Sequence, residues 1–172
     1  LLTRGGYQSM MFTISLILAA LSFGGTLEKT GMLETLANSV LKYANSTGSL
    51  VTATILTSIF ANILAGDQYL SIVLPGKMYK DEFRKRGLAP RNLSRCLEDA
   101  GTITSPLIPW NTCGLTMSTS LGVSTWAYLP YCFLNLVNPL VSIFFGFTGI
   151  TMMKLEDDPS ALEYKGNVQP NI

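Results

Sequence analysis

SLVTATILTSIFANILAGDQYLSIVLP, residues 49–75, is an apolar run whose one charged side chain is Asp67. It has the length for a bilayer crossing, which takes about 20 mostly apolar residues. Pro75-Gly76 is expected to close it. Inside the run Thr54, Ser58, Asn62 and Gly66 recur at every fourth position, so a straight helix carries them on one face. In lipid such a face must turn toward protein or water. A close-packed helix interface uses the same small and hydroxyl residues. Asp67 is harder to place, because a carboxylate at membrane depth costs a few kcal/mol on insertion scales. Its surroundings must supply a partner, a cation or a proton. No basic residue lies in the same run, so a structural salt bridge would draw its partner from elsewhere. Gly66 lets the helix unwind beside the carboxylate and turn carbonyls toward a cation, the pattern of broken helices in membrane carriers.

Upstream, residues 7–27 form a second apolar segment without a charge, and Glu28 and Lys29 mark its interface. Between the two, residues 31–46 read as an amphipathic interfacial helix. Met32, Leu33, Leu36, Val40 and Leu41 form its stripe, with Glu34, Asn38 and Lys42 off it. Downstream, residues 77–95 carry Lys77, Lys80, Arg84, Lys85, Arg86, Arg91 and Arg95 against Asp81 and Glu82. The excess of positive charge predicts a cytoplasmic loop. Arg4 then falls on that side and residues 28–48 on the other. Residues 97–123 are too polar for a lipid-facing helix, and Pro106 and Pro109 deny them continuity. Residues 124–150 are again long and apolar, with Pro130 and Pro139 as expected kinks, and 154–172 form a polar tail.

The whole composition agrees. Of 172 residues 48% are hydrophobic and 13% charged, against about 25% charged in soluble domains. Mean hydropathy is +0.33. A net charge of +1 points to no nucleic-acid or acidic partner. With no His, proton coupling would fall mainly to carboxylates. Cys96, Cys113 and Cys132 have no metal or redox spacing and read as free thiols. The opening LLTRGGYQ has no signal-peptide pattern and implies chain upstream.

A second polar constellation lies in Glu98-Asp99-Ala100-Gly101-Thr102-Ile103-Thr104-Ser105-Pro106 and Pro109-Trp110-Asn111-Thr112-Cys113-Gly114. Its prolines and glycines free backbone groups, which membranes tolerate only inside protein or along a water-filled cavity. Asp99, Thr102, Thr104, Ser105, Asn111 and Thr112 supply hard oxygens suited to a small hard cation. An interfacial loop with Asp99 as a helix cap would use the same residues, and Trp110 would then be an interfacial anchor. Asn135, Asn138 and Ser142, flanking Pro139, read as hydrogen-bond glue between helices.

Three stretches, GDQYLSIVLPGKMY (66–79), LSRCLEDAGTITSPLIPWNTCG (93–114) and LPYCFLNLVNPL (129–140), closely resemble the NhaC family of Na+/H+ antiporters, and SLILAALSFGGTLEKTG (15–31) fits the same family. The resemblance covers about residues 1–153. It implies an all-α integral membrane protein with interrupted helices, residues 97–123 either crossing or folding back as a re-entrant segment, the C-terminal portion of an inverted-repeat secondary transporter in the cell membrane, of the prokaryotic inner-membrane, multi-pass kind. The implied activity is exchange of Na+ for H+, both as transported ions, with no bound cofactor and no enzymatic role. Related members exchange organic acids such as malate and lactate, so small organic acids stay among the expected partners beside the lipid bilayer, and a homo-oligomer stays open. Burial disfavours a carboxylate's charged form and a nearby cation favours it. One Asp can therefore hold Na+ or H+ but hardly both. Asp67 is the expected exchanging group and Asp99 the second candidate. Asn62, Gln68, Asp99, Thr102, Thr104, Ser105, Asn111 and Thr112 are expected to line the same cavity.

Two other classes explain less. Intramembrane aspartyl proteases need Gly-x-Gly-Asp, and here Leu64 stands at the first glycine. A passive channel explains apolar spans but not clustered oxygens beside broken helices.

Overall fold

The computed structural model describes residues 29–41, 44 and 46–157, with scattered positions between 11 and 26. Among the described residues there is no strand, and one isolated antiparallel bridge joins Leu88 to Lys154. The helices are α1 (Met32–Leu41), α2 (Thr47–Ala65), α3 (Gln68–Lys85), α4 (Pro90–Leu97), α5 (Thr112–Leu121), α6 (Thr125–Tyr128) and α7 (Phe133–Thr148). The described positions between 11 and 26 are helical. The rest of the segment expected over 7–27, Arg4, and the tail beyond Asp157 lie outside the described residues.

Local chemistry fixes both ends of α2. The Ser46 hydroxyl accepts the Ser49 amide at 3.2 Å, and the Ser49 hydroxyl accepts the Ser46 amide at 2.8 Å, a capping box with serine in place of the usual glutamate. Gly66, at φ 64°, ends the helix in the left-handed region that glycine enters without a Cβ clash, its amide on the Asn62 carbonyl at 3.1 Å. Asp67 is extended, and its carboxylate accepts the Leu70 amide at 3.1 Å, which caps α3. One helix thus stops and the next starts within two residues.

The chain reverses at that break. The Ser58 hydroxyl donates to the Ser71 carbonyl at 2.7 Å, and the Thr57 and Tyr79 hydroxyls share a hydrogen bond of 2.7 Å. At the open end the Arg86 guanidinium donates to the Ser46 carbonyl at 2.6 Å and also to the Ala44 carbonyl. α2 and α3 are therefore an antiparallel hairpin, with legs about 28 and 27 Å long at 1.5 Å per residue. The sequence suggests one segment over 49–75 closed by Pro75-Gly76. The structure differs: Pro75 lies inside α3, which runs on to Lys85. Proline removes the amide that would reach back to the carbonyl four residues earlier. That carbonyl is Ser71, and the Ser58 hydroxyl takes the vacant place.

The basic stretch 77–95 is likewise mostly helical: α3 ends in it, and α4 begins in it with Pro90 at its first turn, where no amide is needed. The chain then runs back beside α3 through a π-helical turn (Glu98–Thr102) and a 3-10 turn (Ser105–Leu107). Gly101 permits that approach, since a Cβ there would lie 2.8 Å from the Ser58 hydroxyl and 2.9 Å from Ile72. After α5 and α6 the chain bends by 58° into α7. α7 runs through Pro139 and returns alongside, with the Asn135 amide donating to the Ile103 carbonyl at 2.7 Å. Gly146 lets α7 close on α2, where a Cβ would lie 2.8 Å from Val51. Past α7, the backbone of Met153 exchanges two hydrogen bonds with the Asn92 carboxamide, at 2.6 and 3.2 Å. Both hairpins therefore open at one end of the bundle, the end that carries the basic stretch.

Tyr79, Phe83, Leu50, Val51, Ile55, Cys96 and Ala100 form the core, and Val40 and Leu41 of α1 pack against it. α2 is long and apolar enough to cross a membrane, and the bent pair ending in α7 passes the same test if taken as one span. α7 exposes Phe133, Leu134, Leu140, Phe144 and Phe147.

Candidate functional site

The tip of the first hairpin gathers most of the polar residues singled out in the sequence. Asp67 is 8% exposed there and serves as N-cap of α3. Gly66 offers its carbonyl to the Thr112 amide at 3.0 Å, so the start of α5 is tied to the break between α2 and α3. Asn111 caps α5 by accepting the Cys113 amide at 3.0 Å, and the Thr112 hydroxyl is 3.5 Å from the same oxygen. The Asn111 amide donates to the Asn62 side-chain oxygen at 3.1 Å. Asn62 in turn donates to the Gly101 carbonyl at 2.7 Å and to the Thr104 hydroxyl at 3.2 Å. The Thr104 hydroxyl donates to the Ala100 carbonyl. Asn62, Asn111 and Ser105 are wholly buried, and Thr104 nearly so.

Gln68 closes the group. Its side-chain oxygen accepts the Cys113 thiol at 2.8 Å and lies 3.4 Å from the Ser105 hydroxyl, which donates to the Thr102 carbonyl at 2.9 Å. Asn62, Gln68, Thr104, Ser105, Asn111 and Thr112 thus meet at the ends of three interrupted helices, next to Asp67. Buried polar groups of this density are tolerated because each is hydrogen-bonded. Trp110 sits at the rim, its indole N–H donating to the Ile63 carbonyl at 2.7 Å.

Asp99 belongs to a separate arrangement. It lies in the π-helical turn and faces α7, where one oxygen accepts the Asn138 amide at 2.7 Å and the other accepts the Ser142 hydroxyl. Single π turns occur often at functional sites. Asn138 and Ser142 read in the sequence as packing glue; the structure makes them the partners of Asp99. Their spacing around Pro139 was the visible signal, but nothing in it names the acidic residue about forty positions earlier. Thr102 also stands apart from the tip. Its carbonyl joins the Ser105 hydroxyl, while the residue lines a cavity of about 240 Å³ with Ile72, Ser94, Leu97 and Glu98.

Among the described residues no Lys or Arg pairs with Asp67 or Asp99; the salt bridges found there join Glu82 to Lys85 and Arg86. No group of three or more His, Cys, Asp or Glu forms a metal cluster among them. The oxygens at the tip are amide, hydroxyl and carbonyl, with one carboxylate. A cavity of about 850 Å³ lies at the opposite, open end of the hairpins between Ser46, Arg86, Gly146 and Lys154. It is a cleft between helix ends and lacks the converging buried oxygens of the tip. Arg91 and Arg95 lean the same way: Arg91 donates to the Met153 sulfur at 3.4 Å and Arg95 to the Thr151 carbonyl at 3.3 Å.

A model of the Na+/H+ antiporter family matches residues 1–150. The chain is 44% identical over 154 residues to the Na(+)/H(+) antiporter NhaC of Alkalihalophilus pseudofirmus, covering 90% of this chain and 33% of that one. It is 39% identical to the arginine/ornithine antiporter ArcD of Halobacterium salinarum, covering 95% of this chain and 34% of the relative. It is 38% identical to the malate-2H(+)/Na(+)-lactate antiporter of Bacillus subtilis, covering 87% and 32%. The chain spans about a third of the length of these curated relatives. No solved structure matches it.

Proposed function

This chain belongs to the Na+/H+ antiporter family, a family of membrane transporters rather than enzymes, and from that premise we propose that it forms part of a carrier exchanging Na+ for H+ through Asp67. The observation that carries the reading is the state of that side chain. It is buried at a helix break, has no cationic partner among the described residues, and uses one oxygen on the Leu70 amide. The α3 N-terminus favours the anion by its dipole, but only partly offsets the loss of water. A cation or a proton completes the neutralisation, and the two compete for the same oxygens. Sodium binding then expels the proton, and protonation expels sodium. Gln68, Ser105, Thr104, Asn62, Asn111 and Thr112 supply the surrounding hard oxygens. Asp99 is the second carboxylate, and a cation there would compete with the Asn138 amide and the Ser142 hydroxyl.

Depth fits this role. The first charged residue on α3 after the tip is Lys77. From Asp67 to Lys77 the helix rises about 15 Å, half of a hydrocarbon core of about 30 Å. With Lys77 at the interface, the hairpin is re-entrant and Asp67 lies near the midplane, where carriers of this kind place their ions. The basic end faces the cytoplasm by its charge, and the protein sits in a prokaryotic cell membrane as a multi-pass carrier. Rocking of an inverted repeat against its mate would alternate access.

The test is Asp67→Asn in the full-length protein, assayed in inverted vesicles. Sodium-driven proton flux should fall to less than about a tenth, because the amide cannot exchange a proton. Flux at the unsubstituted rate would remove Asp67 from the mechanism. Organic-acid exchange on the same scaffold is the second reading, favoured by the relatives named for malate, lactate and amino-acid substrates. Proton release by sodium alone supports ion antiport; release only with added lactate or malate supports the second reading.

A further inference from the structure

We propose that the cavity walled by Ser94, Glu98 and Thr102 is the vestibule through which the cation reaches Asp67 from the basic end of the bundle, with Glu98 as its attracting carboxylate. This rests on the carrier reading above and adds a route and a residue to it. Ser94, Glu98 and Thr102 follow one another at four-residue steps along the leg that runs from α4 into the π turn. They share one cavity of about 240 Å³ with Ile72 of α3 and Leu97. Asp99, the neighbour of Glu98, turns to the other side of the leg, toward α7. The π turn therefore presents two carboxylates to two faces, one bound by donors and one open.

A chain of hydrogen-bonding groups leads inward from Thr102. The Thr102 carbonyl accepts the Ser105 hydroxyl at 2.9 Å, and that hydroxyl lies 3.4 Å from the Gln68 side-chain oxygen, one residue from Asp67. Oxygens of the type a hard cation prefers thus run from the open carboxylate to the buried one. Arg91 and Arg95 flank Ser94 on the same leg, and positive charge at the cavity would repel a cation. Arg91 and Arg95 are drawn onto the Thr151–Met153 strap. Glu98 is exposed at the mouth of this cavity, where its negative charge raises the local cation concentration. Glu98 is thus a positioning residue that loads the site, not the exchanging group.

The experiment measures sodium KM separately at each membrane face of the full-length protein, in inverted and right-side-out vesicles, for Glu98→Gln, Glu98→Asp and Thr102→Val. For Glu98→Gln, KM at the face bearing the basic stretch should rise about three- to ten-fold at low ionic strength, with maximal rate within about two-fold, and the rise should shrink in high salt. Glu98→Asp should restore it, and Thr102→Val should shift KM the same way by less. An unchanged KM, an equal shift at both faces, or a loss of maximal rate without a KM shift overturns the vestibule. If Asp67→Asn abolishes exchange while Glu98→Gln behaves as the parent, only the route is wrong. If Asp67→Asn exchanges normally, the carrier reading falls and takes the route with it.

Discussion

Asn62 shows how one side chain can hold three broken segments together. Its carboxamide joins α2 to the Gly101 carbonyl and the Thr104 hydroxyl in one direction and to Asn111 in the other, without exposure to solvent. Asn62→Ala removes the side-chain donor on the Gly101 carbonyl and leaves the Asn111 amide only the Asn62 backbone carbonyl at 3.4 Å, and a buried orphan costs about 1–3 kcal/mol. The purified protein should lose about 2–4 kcal/mol of stability, read as a lower thermal midpoint in detergent; a midpoint within a degree of the parent would show that water replaces the amide. The sequence did mark Asn62, Asn111 and Thr104 as polar residues in apolar or broken surroundings. It could not say that they bond to one another, because their pairing crosses about forty to fifty positions and leaves no periodicity. For the same reason Asp99 was visible as a membrane carboxylate while its partners Asn138 and Ser142 were not. Spacing shows that a polar group shares a face with its neighbours on one helix, and says nothing of what stands opposite.

At the scale of elements, α3 survives a proline because another helix completes its backbone. Pro75 leaves the Ser71 carbonyl without its usual amide, and the Ser58 hydroxyl of α2 donates there at 2.7 Å. Reading Pro75-Gly76 as a terminator was sound local chemistry, overridden by a contact between segments. Ser58→Ala should cost about 1–2 kcal/mol by orphaning that carbonyl. Pro75→Ala restores an amide able to reach it, so the two substitutions should be coupled. The double variant should be more stable than the sum of the single effects by at least about 0.5 kcal/mol. Strict additivity in a double-mutant cycle would mean that the Ser58 bond contributes nothing to tolerating the proline. The Gly66-Asp67 break follows the same logic with local means only: a left-handed glycine ends α2 and a carboxylate caps α3. Both signals were readable as a helix interruption, though the angle between the two pieces was not.

That angle decides the plan of the whole molecule. Hydropathy counts apolar residues and treats 49–75 as one passage, which would put residues 48 and 77 at opposite ends. The structure folds the same residues back on themselves, and the Arg86 guanidinium holds the Ser46 carbonyl at 2.6 Å. A second reversal, between the leg from Pro90 and α7, returns the chain to the same end, where Asn92 grips Met153 and Leu88 bridges to Lys154. Two hairpins opening on one side need no net crossing between Ser46 and Lys154. By the positive-inside rule the basic stretch would set the side for both ends at once. Single cysteines at Thr47, Lys85 and Lys154 in the full-length protein, probed with a membrane-impermeant thiol reagent, should all react from the cytoplasmic face. Reaction of Thr47→Cys from the outer face, with Lys85→Cys still reacting from the inner one, would restore the single crossing. Asp67 would then mark a kink in a through-going helix, and the ion site would have to be built from a different set of neighbours.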